Sequence, residues 1–395
     1  MHHRFEGAPS DVVVIGGGST GAAVCYHLSR SGVGSIICVE AGRVGVGDDC
    51  TVVSNESEDY FPFRSGTGVF ESNGPNVIKQ VVTVPPYSKV AEFAMHHGFE
   101  GVRNYLRMAA FGRDLELELA NMFQVPLNRL GSIMVGRLGE EMQLLEEYNS
   151  LKELGCDCEF LKSVPLAGFT CGIRFPHDFV IDSAKYAQEL LRESGAELIE
   201  GHRAVDINET KVTLDDGRVL HCINIIVATG GLWLDHALAG ILRPCYSYLT
   251  AIETSLPSSA NYFTFGFSHD WCVSNGYIRV SGEDHYSSLK PPQSSRRCNA
   301  LADFIHSHYP DQVGAVVNTR YGVYSETPDG VPLVGSVTNE SRIFYMVGCN
   351  AWGQASMSAV ASLAPSLLGI RPMTPSEELT LALVTIRRFK AHSKI

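Results

Sequence analysis

No apolar run in this 395-residue chain approaches the roughly 20 residues needed to cross a bilayer. Basic residues are in deficit, with 31 Lys and Arg against 43 acids and a net charge of −12. That balance argues against a nucleic-acid surface or a patch for anionic membranes, so an anionic substrate must be drawn in by local groups. The eleven cysteines are odd in number and scattered, and Cys156-Asp157-Cys158 is too tight for the usual zinc spacing. They read as reduced thiols, and no metal is expected. Internal repeats, low-complexity segments and a Ser-His-Asp set are also missing. Only Met1 to Ser10 precede the first apolar run, which leaves no room for a signal or transit peptide.

What the chain does have is glycine in one informative place. Asp11-Val12-Val13-Val14-Ile15 runs into Gly16-Gly17-Gly18-Ser19-Thr20-Gly21, and a second apolar run, Ser35 to Val39, ends on Glu40. This is the layout of a dinucleotide-binding βαβ unit. Gly16 permits the tight turn, Gly18 lets a pyrophosphate approach the backbone, and Gly21 lets helix and strand pack closely. Amides at the helix start then face the phosphates, where the helix dipole favours negative charge. Glu40 can accept hydrogen bonds from an adenosine ribose, and its charge disfavours a 2′-phosphate and hence NADP.

Further along, the organisation is discontinuous. Residues 42–74 read as a long loop containing Arg64-Ser65. Helices are expected over Pro85 to Met95, Arg113 to Met122, Glu140 to Leu154 and Asp182 to Ser194. Strands follow at Glu197 to Glu200 and Ala204 to Ile207, with a hairpin turning at Asp215-Asp216-Gly217 whose second arm ends in Ile223 to Ala228. Tyr246 to Thr254, Ala260 to Phe267, Gly276 to Gly282 and Val316 to Tyr324 suggest a large antiparallel sheet, interrupted by a helix near Ser294 to His308. Buried strands at Val331 to Val337 and Ile343 to Val347, then a last helix Gly353 to Leu368, return the chain to the nucleotide domain.

Four blocks now carry a family resemblance: VVVIGGGSTG with Glu40, IIVATGGLWL, YSETPDGVPLVG and YMVGCNAWGQ. In that order they resemble the landmarks of the FAD-dependent D-amino-acid oxidase superfamily, which includes glycine oxidase, sarcosine oxidase and dimethylglycine dehydrogenase. The resemblance spans Asp11 to about Leu368. It implies an α/β fold in which a Rossmann-type FAD-binding domain (1–84, 156–242 and 325–385) interleaves with an α+β substrate domain on a large mixed or antiparallel sheet (85–155 and 243–324), followed by a tail (386–395). It also implies that FAD contacts Gly16, Gly18, Ser19, Thr20, Gly21, Glu40, Ala41, Arg43, the Arg64-Ser65 pair, Ala204, Thr229, Gly230, Gly231 and Trp233. Asp329 and Gly330 would lie near the flavin ring, and Asn350, Trp352, Gly353 and Gln354 would open a last helix whose amide end faces it. The implied chemistry is oxidation of a C–N bond of a small amine or amino acid, a secondary or N-methylated amino acid being favoured, with hydride passing to flavin and the imine hydrolysing. Oxygen or another acceptor then takes the electrons. A second reading is an FAD-binding assembly factor of the same fold that acts through partners.

Departures from the family pattern matter as much. Where covalent sarcosine oxidases carry a flavin-bonded cysteine this chain has Gly322, so FAD is expected to be held without a covalent bond. Where glycine oxidase has a carboxylate-binding arginine it has Tyr324, and where monomeric sarcosine oxidase has a lysine it has Gln354 or Ala355. Candidate replacements are Arg64, Tyr324 and Arg279, the last sharing a strand face with Tyr277 and Ser281 by period-two alternation. Arg279 matches a lysine that promotes oxygen reaction, and would serve that role, bind an anionic substrate, or sit on a solvated strand face. His269-Asp270 reads as a loop between strands. The chain ends His392-Ser393-Lys394-Ile395, a conservative variant of the tripeptide read by the peroxisomal import receptor, so a peroxisome or related microbody is expected, with the cytoplasm as the alternative.

Overall fold

β1 (Ser10–Ile15) is apolar on both faces because it lies mid-sheet. It pairs in parallel with β2 (Ile36–Glu40) on one side and Val219–Val227 on the other, and Val12 to Ile15 are buried. The connecting α1 (Ser19–Arg30) lays Ala22, Val24, Cys25 and Leu28 into the same core. Glu197–Glu200 and Ile343–Val347 extend the parallel sheet on its two sides, and Leu333–Gly335 closes one edge. The hairpin of Ala204–Asn208 and Lys211–Leu214 continues antiparallel off the start of Val219–Val227. This first sheet is therefore assembled from distant stretches of chain. The structure is a computed structural model that describes residues 10–44, 51–52, 79–230, 238, 240–286 and 294–392.

A second sheet of nine strands runs Thr51–Val52, Val313–Glu326, Arg243–Thr254, Tyr277–Tyr286, His269–Ser274, Asn261–Thr264, Ser132–Gly136, Cys171–Phe175, Glu159–Leu161. It is antiparallel except where Asn261–Thr264 meets Ser132–Gly136. The helix Ser294–His308 covers one face, with Leu301 and Ile305 in a core with Trp271, Ile252 and Ile278. Two corrections concern this sheet. His269 and Asp270 open a strand rather than sit in a loop, paired with Gly282 and Ser281. The division expected at residue 156 falls inside the second layer's territory, because Glu159–Leu161 and Cys171–Phe175 bury Ile173 and Phe175 there.

The helices differ more. Two expected segments, Pro85 to Met95 and Arg113 to Met122, belong to one long α2 (Val90–Met122) broken only at Gly98 (φ 63°, ψ 170°). It begins at Val90 because the Glu147 carboxylate accepts that amide at 3.0 and 3.2 Å. Glu141–Glu153 and Ser183–Ser194 form as expected, the latter capped by Asp182. The expected final helix divides into Gly353–Ala361 and Ala364–Leu367, and a further helix, Pro375–Val384, follows behind a Thr374/Glu377 capping box. The expected tail is tied down too: Ile386–His392 is a 3₁₀ segment held by Arg388. No helix among the described residues is long and apolar enough to cross a membrane. Most of the 42–74 loop, including Arg64 and Ser65, and the terminal Ser393-Lys394-Ile395 lie outside the described residues.

Candidate active site

Between the two sheets runs a cavity of about 750 Å³. Its first end is the glycine turn. Gly16 takes φ 109°, and a Cβ there would lie 2.3 Å from the Ala228 carbonyl oxygen, so only glycine lets the turn pass the neighbouring strand. Gly21 serves packing alone: a Cβ would sit 1.8 Å from the Gly16 oxygen, and the residue does not line the cavity. Gly18 differs, since a Cβ there meets nothing within 4 Å and would project into open space at the start of α1. No side chain caps that helix, so its first turn is left for an anion.

Glu40 closes β2 and lines the cavity, 6 % exposed. One carboxylate oxygen accepts the Gly17 amide at 2.7 Å and the other the Gly42 amide at 2.8 Å. Burial pushes its pKa up while these amides oppose the shift. Each oxygen keeps a lone pair for a ribose hydroxyl. Ser19, Thr20, Ala41 and Ala204 line the same end, and Thr229 and Gly230 line its middle; Gly231 and Trp233 fall outside the described residues.

The far end is an aromatic chamber. Trp352 stands edge-on to Phe263, Phe267 and Tyr87 at centroid distances of 4.5, 5.4 and 5.1 Å. Trp352, Gly353 and Gln354 line the cavity where the helix Gly353–Ala361 begins, again without a side-chain cap. Gln354 donates to Ser19 at 3.2 Å and to Gln80, which ties the chain's late helix to the first glycine turn. Tyr324 lines the chamber and donates to Asp284 at 2.8 Å. Burial, then the Asp284 charge, pushes the Tyr324 phenol far up, so it stays protonated and can donate. His269 and Asp270 also line the wall; burial pushes Asp270 up to about 7, against a hydrogen bond from Ser281.

Several expected contacts are corrected. Arg279 is buried, 3 % exposed, yet does not reach the cavity: its guanidinium donates to the Ser274 carbonyl and hydroxyl at 3.1 and 3.0 Å. Asp329 is held by Arg388 at 2.6 and 2.9 Å and does not line the cavity, and Gly330 turns beside Phe93. Asn350 accepts the Thr327 amide at 2.8 Å and donates to the Gly348 carbonyl at 2.6 Å, so it shapes the loop before Trp352 without lining the cavity. Arg43 does not line it either. Conversely, Tyr87, Phe267, Asp284, Arg320 and Cys349 line it unanticipated. Arg320 was within reach of alternation, being four residues before Tyr324 on one strand face. Tyr87 and Asp284 had no such signal.

An uncapped helix start with clear space at Gly18, an acid at the end of β2 and a long mostly apolar chamber fit FAD, whose pyrophosphate, ribose and ring need those three surfaces. The family model described as FAD dependent oxidoreductase matches residues 11–365. The chain belongs to this family. As an FAD-dependent oxidoreductase it takes FAD as cofactor, and its fold is shared by glycine oxidase from Geobacillus kaustophilus (TM-score 0.73, 17 % identity, covering 93 % of this chain and 96 % of that one). L-proline dehydrogenase from P. horikoshii (0.68, 17 %, 97 % and 98 %) and iminodiacetate oxidase from Chelativorans sp. BNC1 (0.65, 17 %, 93 % and 98 %) are similar in the same way. Among curated proteins none matches the chain.

Proposed function

We propose that this oxidoreductase oxidises a C–N bond of a small amine or amino acid, secondary and N-methylated amines being favoured, to an imine that water hydrolyses. The observation that carries this reading is the unbroken cavity from the glycine cradle and Glu40 to the chamber of Tyr87, Phe267, Tyr324 and Trp352. Bound FAD supplies the two-electron acceptor for the hydride lost from the carbon bearing nitrogen. The chain's own residues orient and shield. Trp352, Phe267 and Tyr87 enclose an apolar space that excludes water from the carbon losing hydride. Tyr324 and Tyr87 keep their protons, which they give to Asp284 and to the Phe267 carbonyl, and offer the substrate's polar end hydroxyl lone pairs as acceptors. The uncapped start of Gly353–Ala361 favours the negative charge that builds on reduction. The nitrogen must be unprotonated when hydride leaves, so the step asks for one proton acceptor and no acid–base pair. Two of the similar structures are named for secondary amines, L-proline and iminodiacetate.

The test is an anaerobic panel of amines and imino acids scored by bleaching of the flavin absorbance. Bleaching by at least one secondary amine is expected. A flavin that keeps its colour against the whole panel, in protein that co-purifies with a partner, would replace this reading with an assembly role.

A further inference from the structure

The chamber wall contains a carboxylate whose placement the strand pattern alone would not give. Along the pairing of Arg243–Thr254 with Tyr277–Tyr286, Tyr248 faces Gly282 and Tyr246 faces His285, so Ser247 opposes two residues, Glu283 and Asp284. This is a β-bulge, made with Gly282 at φ 137° and Glu283 at φ 55°. Ser281 lines the cavity, and strict alternation would place Glu283 there next; the extra residue places Asp284 there instead, while Glu283 turns to His269 and Arg297.

Asp284 is then held as an acceptor. One oxygen accepts from Tyr324 at 2.8 Å, with Ser247 beside the carboxylate, while the Tyr87 hydroxyl lies 3.3 Å from that oxygen with its proton on the Phe267 carbonyl. Its other oxygen, Oδ1, is buried with no hydrogen-bond partner, and no Lys or Arg pairs with the carboxylate among the described residues. A buried acceptor left open beside a ligand cavity is costly unless a ligand donor meets it. Tyr87 donates to the Phe267 carbonyl at 2.5 Å and packs against Trp352, so the carboxylate it adjoins belongs to the aromatic chamber, whose ring faces also favour a cation. The positions where relatives place a cationic carboxylate anchor are neutral here, namely Tyr324, Gln354 and Ala355. Arg279 is turned to Ser274, and Arg320 lies four residues from Tyr324, about 13 Å along the strand at ~3.3 Å per residue.

We propose that Asp284 receives the positively charged nitrogen of the substrate and takes up its N–H⁺ proton before hydride leaves the adjoining carbon, so that the enzyme selects cationic amines by their N–H⁺ group and does not require a neighbouring carboxylate. This deepens the amine-oxidation reading and rests on the same cavity. Substrates of this kind are alkyl and cyclic amines, preferred over the amino acids that carry the same nitrogen with an α-carboxylate.

A non-oxidisable probe separates recognition from chemistry. tert-Butylammonium has no hydrogen on the carbon bearing nitrogen, and pivalate is its anionic counterpart of the same shape. Titrated by calorimetry into FAD-loaded full-length protein, tert-butylammonium is expected to bind at least tenfold more tightly than pivalate, and Asp284→Asn to abolish that preference while FAD content is retained. In the bleaching assay pyrrolidine should act at lower concentration than L-proline. Pivalate binding as well as the cation, a comparison made on the unmodified protein, would overturn the proposal, as would an unchanged preference in Asp284→Asn. If the cation binds through Asp284 and no amine bleaches the flavin, amine oxidation fails and cation recognition stands. If amino acids bleach the variant as fast as the parent, the reverse holds.

Discussion

At the scale of single residues, the three glycines of the first turn look alike in sequence and do different physical work. Gly16 and Gly21 are required by the protein itself, since added Cβ atoms would collide with carbonyl oxygens. Gly18 is not required by the fold, since a Cβ there meets nothing within 4 Å. Gly18→Val should therefore fold with a melting temperature close to that of the cofactor-free parent, yet hold FAD at least tenfold more weakly, because the side chain fills the phosphate space. The flavin-to-protein absorbance ratio after gel filtration measures this, and full flavin content in the variant would remove the phosphates from that position. Residue type was legible here from spacing alone. Arg279 shows the limit of such reading: alternation correctly grouped it with Ser281, but the cavity covers only the later part of that strand. A face is a local property, whereas a cavity is made by whatever stands opposite.

At the scale of elements, α2 and the helix Gly353–Ala361 decide how the chamber is held. Gly112 lets them approach, because a Cβ there would lie 1.8 Å from the Ala355 carbonyl oxygen. Beside it the fully buried Glu116 accepts from Ser358 at 2.7 Å, leaving its other oxygen without a partner. Burial pushes Glu116 up to about 7 from an ordinary 4.5. The folded state thus keeps a proton that the unfolded chain has lost between those values. The stabilisation is fully present below about pH 4.5 and is lost as pH rises through 7, an effect on the order of 3 kcal/mol. Glu116→Gln should flatten that share of the slope, narrowing the difference in chemical-denaturation midpoint between pH 5 and pH 8. An unaltered difference would mean that Glu116 stays ionised in this contact. None of this was readable from periodicity: Gly98 breaks α2 at φ 63°, Gly101 and Gly112 each cost roughly 1 kcal/mol against alanine in intrinsic helix propensity, and the packing against a helix some 240 residues later outweighs that cost.

At the scale of the whole molecule, two layers drawn from alternating stretches of chain meet over one cavity, and the cofactor's retention belongs to both. Gly322 lines the cavity and offers no sulfur for a covalent link, and Cys349 is the cysteine that lines it among the described residues. Flavin should accordingly appear in the supernatant when the holoprotein is heat-precipitated. Yellow colour that stays with the pellet would point to Cys349, and Cys349→Ala would then release it.

The amino-acid order alone determined the βαβ unit, because it depends on near neighbours: a turn that needs glycine, a strand that needs apolar residues on both faces, an acid at a strand's end; FAD was legible only through the resemblance of four blocks to a known family. Tertiary structure alone decided which polar and charged groups line the cavity. Asp284 reaches the chamber through a bulge defined by pairing with Arg243–Thr254, Tyr87 reaches it from just ahead of α2, and Arg279 is drawn away by Ser274. Each of those outcomes depends on which distant strand lies alongside, a relation that hydrogen-bond register between strands sets and local periodicity does not contain.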